Sequence, residues 1–221
     1  MTFDIFDVIG YGTKAKVEID IPNQEFGKWA IDTMTVTKEQ EESQKLRAVI
    51  NHHSRYVPEG EYKALWRTPK SGLSTPVMTN TPNEILDHYD FVEVAKGNVL
   101  INGLGLGVVL EMLMIKNKLT HNIESITFVE IDQDIIDNVG KHYLEKYPEM
   151  KLNFICANAL EHKPAKDIKY DAVWHDIWDH ICEDNLPEMH KLTRRYGRIT
   201  EWQGSWCREE CENLRKGRRG F

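Results

Sequence analysis

The chain has no apolar run near the roughly 20 residues that a membrane helix needs, so no helical span is expected. Its opening stretch, Met1-Thr2-Phe3-Asp4-Ile5-Phe6-Asp7, carries acids and lacks a basic start and an apolar core. No secretory signal is therefore expected, and the cytoplasm is the expected compartment. Cysteine is scarce, with four in 221 residues. Cys156 and Cys182 stand singly, and Cys207 and Cys211 lie four apart with no second ligand pair, so inert thiols are expected and no metal site. There are no internal repeats and no low-complexity tract, which excludes a repeat array.

What is present suits a folded domain. Hydrophobic residues make up 41% and charged residues 29% of the chain, the mix of a globular protein. The length suits one full domain plus a smaller appendage. The net charge of −7 is uneven: residues 191–221 hold nine Lys/Arg against four Asp/Glu, a balance of +5 that leaves −12 on the rest. The acidic body argues against broad nucleic-acid binding. The basic end (Arg215, Lys216, Arg218, Arg219) reads as a solvated terminus, or as a contact for phosphates or another subunit.

Periodicity divides the chain into an N-terminal β-rich appendage with one helix, residues 1–80, and a second domain, residues 81–221. Lys16 to Ile21 alternates polar and apolar, the period of a half-buried strand. Trp29 to Val36 is a second strand candidate. Thr37 followed by Gln40 has capping-box spacing, so a charged helix is expected to about Asn51, with Leu46, Val49 and Ile50 as its apolar stripe. Tyr62 to Thr68 is a further strand, before a turn-rich stretch through Pro69, Gly72 and Pro76. Thr81-Pro82 begins a helix that runs into Asp87-His88-Tyr89.

From Asn98 onward strands and helices alternate. Strands are expected at Val99–Asn102, Ser125–Glu130, Leu152–Cys156 and Tyr170–Asp176, with a fifth over Gly197–Trp202. Helices are expected at Val108–Lys116, Asp134–Tyr147, Leu186–Tyr196 and Ser205–Lys216. The alternation implies an α/β fold with a parallel sheet, whose ligands bind at the carboxyl ends of the strands.

Two segments carry chemistry. Asn102-Gly103-Leu104-Gly105-Leu106-Gly107 follows a strand and opens a helix, where glycine permits a tight turn, close ligand approach and close helix packing. Glu130 ends the next strand, 27 residues after Gly103, where a carboxylate can accept two hydrogen bonds from ribose hydroxyls. Ile131 and Asp132 would flank an adenine. Val108 stands where the dinucleotide motif has its last glycine, which disfavours NAD.

On these motifs, Asn98 to Asp176 resembles a class I S-adenosylmethionine-dependent methyltransferase domain, and within that superfamily the spermidine-synthase-like branch. The resemblance implies a Rossmann-like parallel sheet and S-adenosyl-L-methionine as cofactor. It places Asn102, Gly103, Gly105 and Gly107 at the cofactor backbone and Glu130 on the ribose. Ala157-Asn158-Ala159 stands where the family has Gly-Asp-Ala, so Asn158 and Ala159 would meet the adenine. Asp176 and Asp179 match the Asp-x-x-Asp of the aminopropyltransferases, with His180 in place of the following proline. Asp176 would orient or deprotonate the acceptor, with Asp179 beside it.

Departures from the branch count against polyamine synthesis: the glycine turn lacks the Gly-Gly-Gly-Asp-Gly-Gly run, and the segment Val77 to His88 replaces the usual preceding motif. That polar segment leads to the glycine turn and is a candidate lining for the methionine end of the cofactor. No Asn/Asp-Pro-Pro-Tyr follows the fourth strand, and no Pro-Cys pair is present, which disfavours methylation of DNA bases. The sheet reads as a shortened methyltransferase fold, its edge open to a partner or to Trp202 and Trp206. The expected function is methyl transfer to a small-molecule or peptide-borne nucleophile, with a homo-oligomer compatible. Aminopropyl transfer and a non-catalytic binding or assembly protein are the alternatives.

Overall fold

The computed structural model describes residues 9–50, 55–67, 75–164 and 167–218. The acidic stretch Met1–Asp7, the expected helix end at Asn51, the strand end at Thr68, the turn residues Pro69 and Gly72, and Arg219 of the basic end lie outside the described residues. The chain divides into two compact units, Met1–Tyr89 with Gly105–Ile115, and Asp90–Leu104 with Lys116–Phe221.

The first unit carries an antiparallel sheet in the order β1-β2-β3-β4, from β1 (Gln24–Phe26), β2 (Trp29–Val36), β3 (Gly60–Arg67) and β4 (Thr75–Thr79). Strand β2 pairs along its whole length with β3, from Trp29↔Arg67 to Val36↔Gly60. Helix α1 (Lys38–Ile50) starts at the capping box its sequence specifies. The Thr37 N–H donates to Gln40 Oε1 (2.8 Å), and the Gln40 N–H donates to Thr37 Oγ1 (3.3 Å).

Two expectations are corrected here. Val17, Ile19 and Ile21 are buried and their neighbours exposed, yet residues 16–21 belong to no strand. The alternation marks which side faces the core, while strand pairing depends on what lies alongside. Leu46, Val49 and Ile50 are 63%, 73% and 64% exposed, and the buried residue of α1 is Ala48. Helical spacing groups those three side chains, but it does not say that anything covers them. Helix α2 (Pro82–Asp87) starts with proline as expected. The Thr81 hydroxyl makes no cap bond and instead meets the Thr79 hydroxyl at 3.0 Å. The helix stops at Asp87, and a separate α3 (Tyr89–Val94) follows.

The second unit is built on five parallel strands in the order β7-β6-β5-β8-β9. They are β5 (Gly97–Asn102), β6 (Ile123–Glu130), β7 (Lys151–Cys156), β8 (Tyr170–His175) and β9 (Thr200–Ser205). The chain steps outward from β5 to β6 and β7, then returns past β5 to β8 and β9. The strand order therefore reverses between β5 and β8, which is where such sheets open a crevice.

Helix α4 (Val108–Thr120) follows the glycine turn. The helix expected over Asp134–Tyr147 is interrupted: α5 (Gln133–Ile135) passes through a π turn (Ile136–Gly140) into α6 (Lys141–Lys146). Helix α7 (Leu186–Tyr196) has the expected bounds and buries Leu186, Met189, Leu192 and Tyr196. Leu192 and Tyr196 join a cluster with Leu100, Val129, Tyr170 and Val173. Each such apolar side chain contributes about 1.5–3 kcal/mol by leaving water. Helix α8 (Arg208–Arg218) seats Cys211 among Leu186 and Met189. Trp202, on edge strand β9, stacks at 6.3 Å from Trp174 and 5.9 Å from Phe91.

Candidate functional site

The ends of β5, β6 and β8 converge at the strand-order switch. Gly103 follows β5 with φ +96°. A side chain there would overlap the carbonyl oxygen of Asp176, so the residue must be glycine for the chain leaving β5 to pass the chain leaving β8. The Gly103 N–H donates to the Val129 carbonyl (2.9 Å), and the Asp176 N–H donates to the Asn102 carbonyl (2.8 Å).

Glu130, at the end of β6, is buried and acts as a clamp. Its Oε2 accepts the Leu104 N–H (2.9 Å), and its Oε1 accepts the Asp132 N–H (2.9 Å). The carboxylate therefore ties the glycine turn to its own strand end. Burial pushes its pKa up, opposed by those two N–H groups. Asp132 serves as N-cap of α5, accepting the Asp134 N–H at 3.0 Å, while Ile131 is exposed. The Ala157 N–H donates to the Glu130 carbonyl (2.9 Å), which holds the segment after β7 against the end of β6. Within that segment Asn158 Oδ1 accepts the Leu160 N–H (2.9 Å). Ala159 is buried, and its carbonyl accepts Arg195 Nη1 at 2.9 Å. Asp176 is half-buried and Asp179 exposed; between them Trp178 Nε1 donates to Glu188 Oε2 (2.8 Å).

Beneath Asp176 lies a buried polar network that sequence reasoning did not anticipate. Asn102 Nδ2 is 2.7 Å from His175 Nδ1, and the Tyr196 hydroxyl donates to Asn102 Oδ1 (3.3 Å). His175 Nε2 faces Gln203 Oε1 at 3.3 Å. With Asn102 donating, Nδ1 must accept, so the proton of a neutral imidazole sits on Nε2 and points to Gln203. Burial drives the His175 pKa from 6.5 down to about 4, and the Gln203 bond opposes this only in part. Burial likewise pushes the Tyr196 hydroxyl up to about 12. Asn102 is thus wholly buried, with both ends of its amide engaged inside the sheet.

The later part of the glycine turn belongs to the first unit. Gly105 and Gly107 have φ of +52° and +75°. A side chain on Gly105 would overlap the thioether of Met78, whose Sδ accepts the Leu106 N–H at 3.1 Å. In the same segment Glu84 is half-buried and accepts the Thr79 N–H (3.2 Å) and the Thr79 hydroxyl (3.0 Å). Burial raises its pKa from 4.5 to about 7. The sequence marks the segment Val77 to His88 by its polarity, but carries no signal for the Met78 contact within it. The donors at Leu104 and Leu106 have no sequence signal, because every residue but proline carries a main-chain N–H.

No family model matches the chain, and no curated protein matches it. Among solved structures it is similar to an S-adenosylmethionine-dependent methyltransferase from Clostridium acetobutylicum, at 13% identity and TM-score 0.37, over 53% of this chain and 44% of that one. It is also similar to the CcbJ methyltransferase from Streptomyces caelestis, at 16% identity and TM-score 0.38, over 53% and 43% of the two chains. A dimethyladenosine transferase from Plasmodium falciparum matches at 20% identity and TM-score 0.36, over 51% and 37%. The aligned part is less than half the length of each of these three structures.

Proposed function

We propose that the chain binds S-adenosyl-L-methionine at the carboxyl ends of β5 and β6 and transfers its methyl group to a small-molecule or peptide-borne nucleophile. The observation that carries this reading is the position of Glu130. It is a buried carboxylate at the end of the strand next to the switch, joined to the glycine turn through the Leu104 N–H. Its oxygens accept the Leu104 and Asp132 N–H groups, and a carboxylate offers about four lone-pair positions, which leaves room for a ribose hydroxyl. Gly103, Gly105 and Gly107 would let the turn's backbone approach the ligand. Ile131 and Asp132 would flank the adenine, and Asn158 with Ala159 would meet its edge. These roles fall in the domain proposed at residues 81–221.

The bound cofactor would supply an electrophilic sulfonium methyl, so the protein's work is positioning and proton handling. Asp176, at the end of β8, would orient or deprotonate the acceptor, and Asp179 would help to hold it. The test is calorimetry of the intact chain with S-adenosylmethionine, S-adenosylhomocysteine, the decarboxylated cofactor and NAD. S-adenosylhomocysteine should bind, and Glu130→Ala should weaken it by roughly 30-fold, the loss of about 2 kcal/mol or more from a charged acceptor. Binding of NAD alone, or unchanged affinity in a folded Glu130→Ala protein, would overturn the reading.

A further inference from the structure

We propose that the antiparallel sheet of the first unit is a self-association surface. A second copy of the chain adds its β2 edge, antiparallel, to the β2 edge of the first across a two-fold axis, and the two α1 helices lie side by side. Two independent features of the unit carry this: an unpaired strand edge and a self-complementary helix face.

The edge comes from the unequal lengths of β1 and β2. Strand β2 runs from Trp29 to Val36, but β1 pairs with it only from Phe26↔Trp29 to Gln24↔Ile31. Beyond Ile31 no strand among the described residues flanks that side of β2, while its other side pairs with β3 as far as Val36. The direction of the free groups follows from the ladder. Opposite Thr33, Lys63 of β3 turns its N–H to Asn80 Oδ1 (2.7 Å) and its carbonyl to the Asn80 N–H (3.1 Å). Thr33↔Lys63 is therefore a pair without hydrogen bonds, and so is Thr35↔Glu61 two residues on. Both threonines point their main-chain groups away from β3. The Thr33 N–H is met by Asp32 Oδ1 (2.7 Å), and exposed Thr35 presents its N–H and carbonyl at the open edge. Such an edge is a template for another strand.

The helix face says which strand. A cavity of about 420 Å³ beside this edge is lined by Met34, Thr35 and Val36 and by Glu39, Ser43 and Arg47 of α1. The three helical residues recur every four positions on one face: an acid, a small residue and a base. A two-fold axis near Ser43 lays this row against itself antiparallel, with Glu39 of each copy facing Arg47 of the other. Within one helix those charges stand about 12 Å apart along the axis, too far to pair, so the two ion pairs form only between copies. Leu46 and Ile50, 63% and 64% exposed, continue the same face, and the second α1 would cover them. A two-fold axis normal to the joined sheet keeps both helices on one side of it, the isologous arrangement common among dimers. An extended peptide would satisfy the edge but would not account for the symmetric charges.

Sedimentation velocity of the intact chain tests this. The unaltered protein should be a dimer at roughly 100 μM and should dissociate on dilution and in high salt. Arg47→Glu should weaken the dimer about 10-fold, because it turns two attractions into two repulsions, and Glu39→Arg should do the same. Glu39→Arg combined with Arg47→Glu restores both pairs with the signs exchanged, and should bring the dissociation constant back to within about 3-fold of the unaltered value. Thr35→Pro removes the outward N–H without taking a bond from β3, and should weaken the dimer by about 10-fold or more. All three sites are exposed, so the far-ultraviolet circular dichroism of the variants should not change. A chain that stays monomeric at that concentration overturns the proposal, even if its edge then binds an extended peptide. So does a dimer that ignores Thr35→Pro, or one in which the double reversal fails to recover what the single reversals lost.

Discussion

Acidification should weaken the fold through His175, and the size of the effect follows from its place in the sheet. The ring is wholly buried, with Asn102 on one nitrogen and Gln203 near the other. Its pKa is lowered from 6.5 to about 4 in the folded chain, so between those values the unfolded chain binds a proton that the native chain does not. The stabilisation is complete above pH 6.5, is lost progressively as pH falls toward 4, and is flat below that. At about 1.4 kcal/mol for each pH unit, the full loss is about 3 kcal/mol, of which about 2 kcal/mol is reached by pH 5. His88, also driven by burial to about 4, adds a loss of the same sign. Glu84 opposes them: its folded pKa of about 7 exceeds 4.5, so protonation favours the native chain as pH falls through that window.

Comparing the wild type with His175→Gln isolates the one residue, because His88 and Glu84 titrate in both proteins. At pH 7.5 the variant should be less stable by about 1–3 kcal/mol, from altered buried hydrogen bonds. By pH 5 that gap should narrow by about 2 kcal/mol, because glutamine has no proton to gain. Urea unfolding at half-unit steps between pH 7.5 and 5 measures the gap directly. A gap that stays constant across this range would refute the buried neutral imidazole.

Gly103→Ala should destabilise by at least about 3 kcal/mol, from positive φ and overlap with the Asp176 carbonyl, and urea unfolding would show it. Lys116 donates from Nζ to the carbonyls of Val92 (2.8 Å), Glu93 (2.8 Å) and Ala95 (2.6 Å). Lys116→Met keeps much of the apolar stem but strands those acceptors, and should cost about 2–4 kcal/mol in the same assay. Asp176→Asn should lower turnover on an amine acceptor by about 100-fold with little change in cofactor affinity; normal turnover would place the base elsewhere. Thr37→Ala should cost about 1 kcal/mol by removing one half of the capping box, read as a lower thermal midpoint.

Features that depend on neighbours a few positions apart were legible in the sequence. The capping box at Thr37 and Gln40, the bounds of α7, the short apolar strands and the glycine turn after β5 are set by local periodicity and by backbone angles that few residues adopt. The same logic placed Glu130 at a strand end, the feature of the candidate site most readable from spacing. What periodicity cannot encode is the identity of the partner across space. Residues 16–21 alternate like a strand yet pair with none, and Leu46, Val49 and Ile50 share a helix face that stays in water. Only the tertiary structure decided that β5 lies between β6 and β8, since strand order is a long-range choice among segments of similar composition. It alone set the Glu130 carboxylate on the Leu104 N–H, His175 between Asn102 and Gln203, and Met78 against Leu106. Each of these contacts joins residues 26 to 73 positions apart, and main-chain donors, which every residue but proline carries, leave no mark in a sequence.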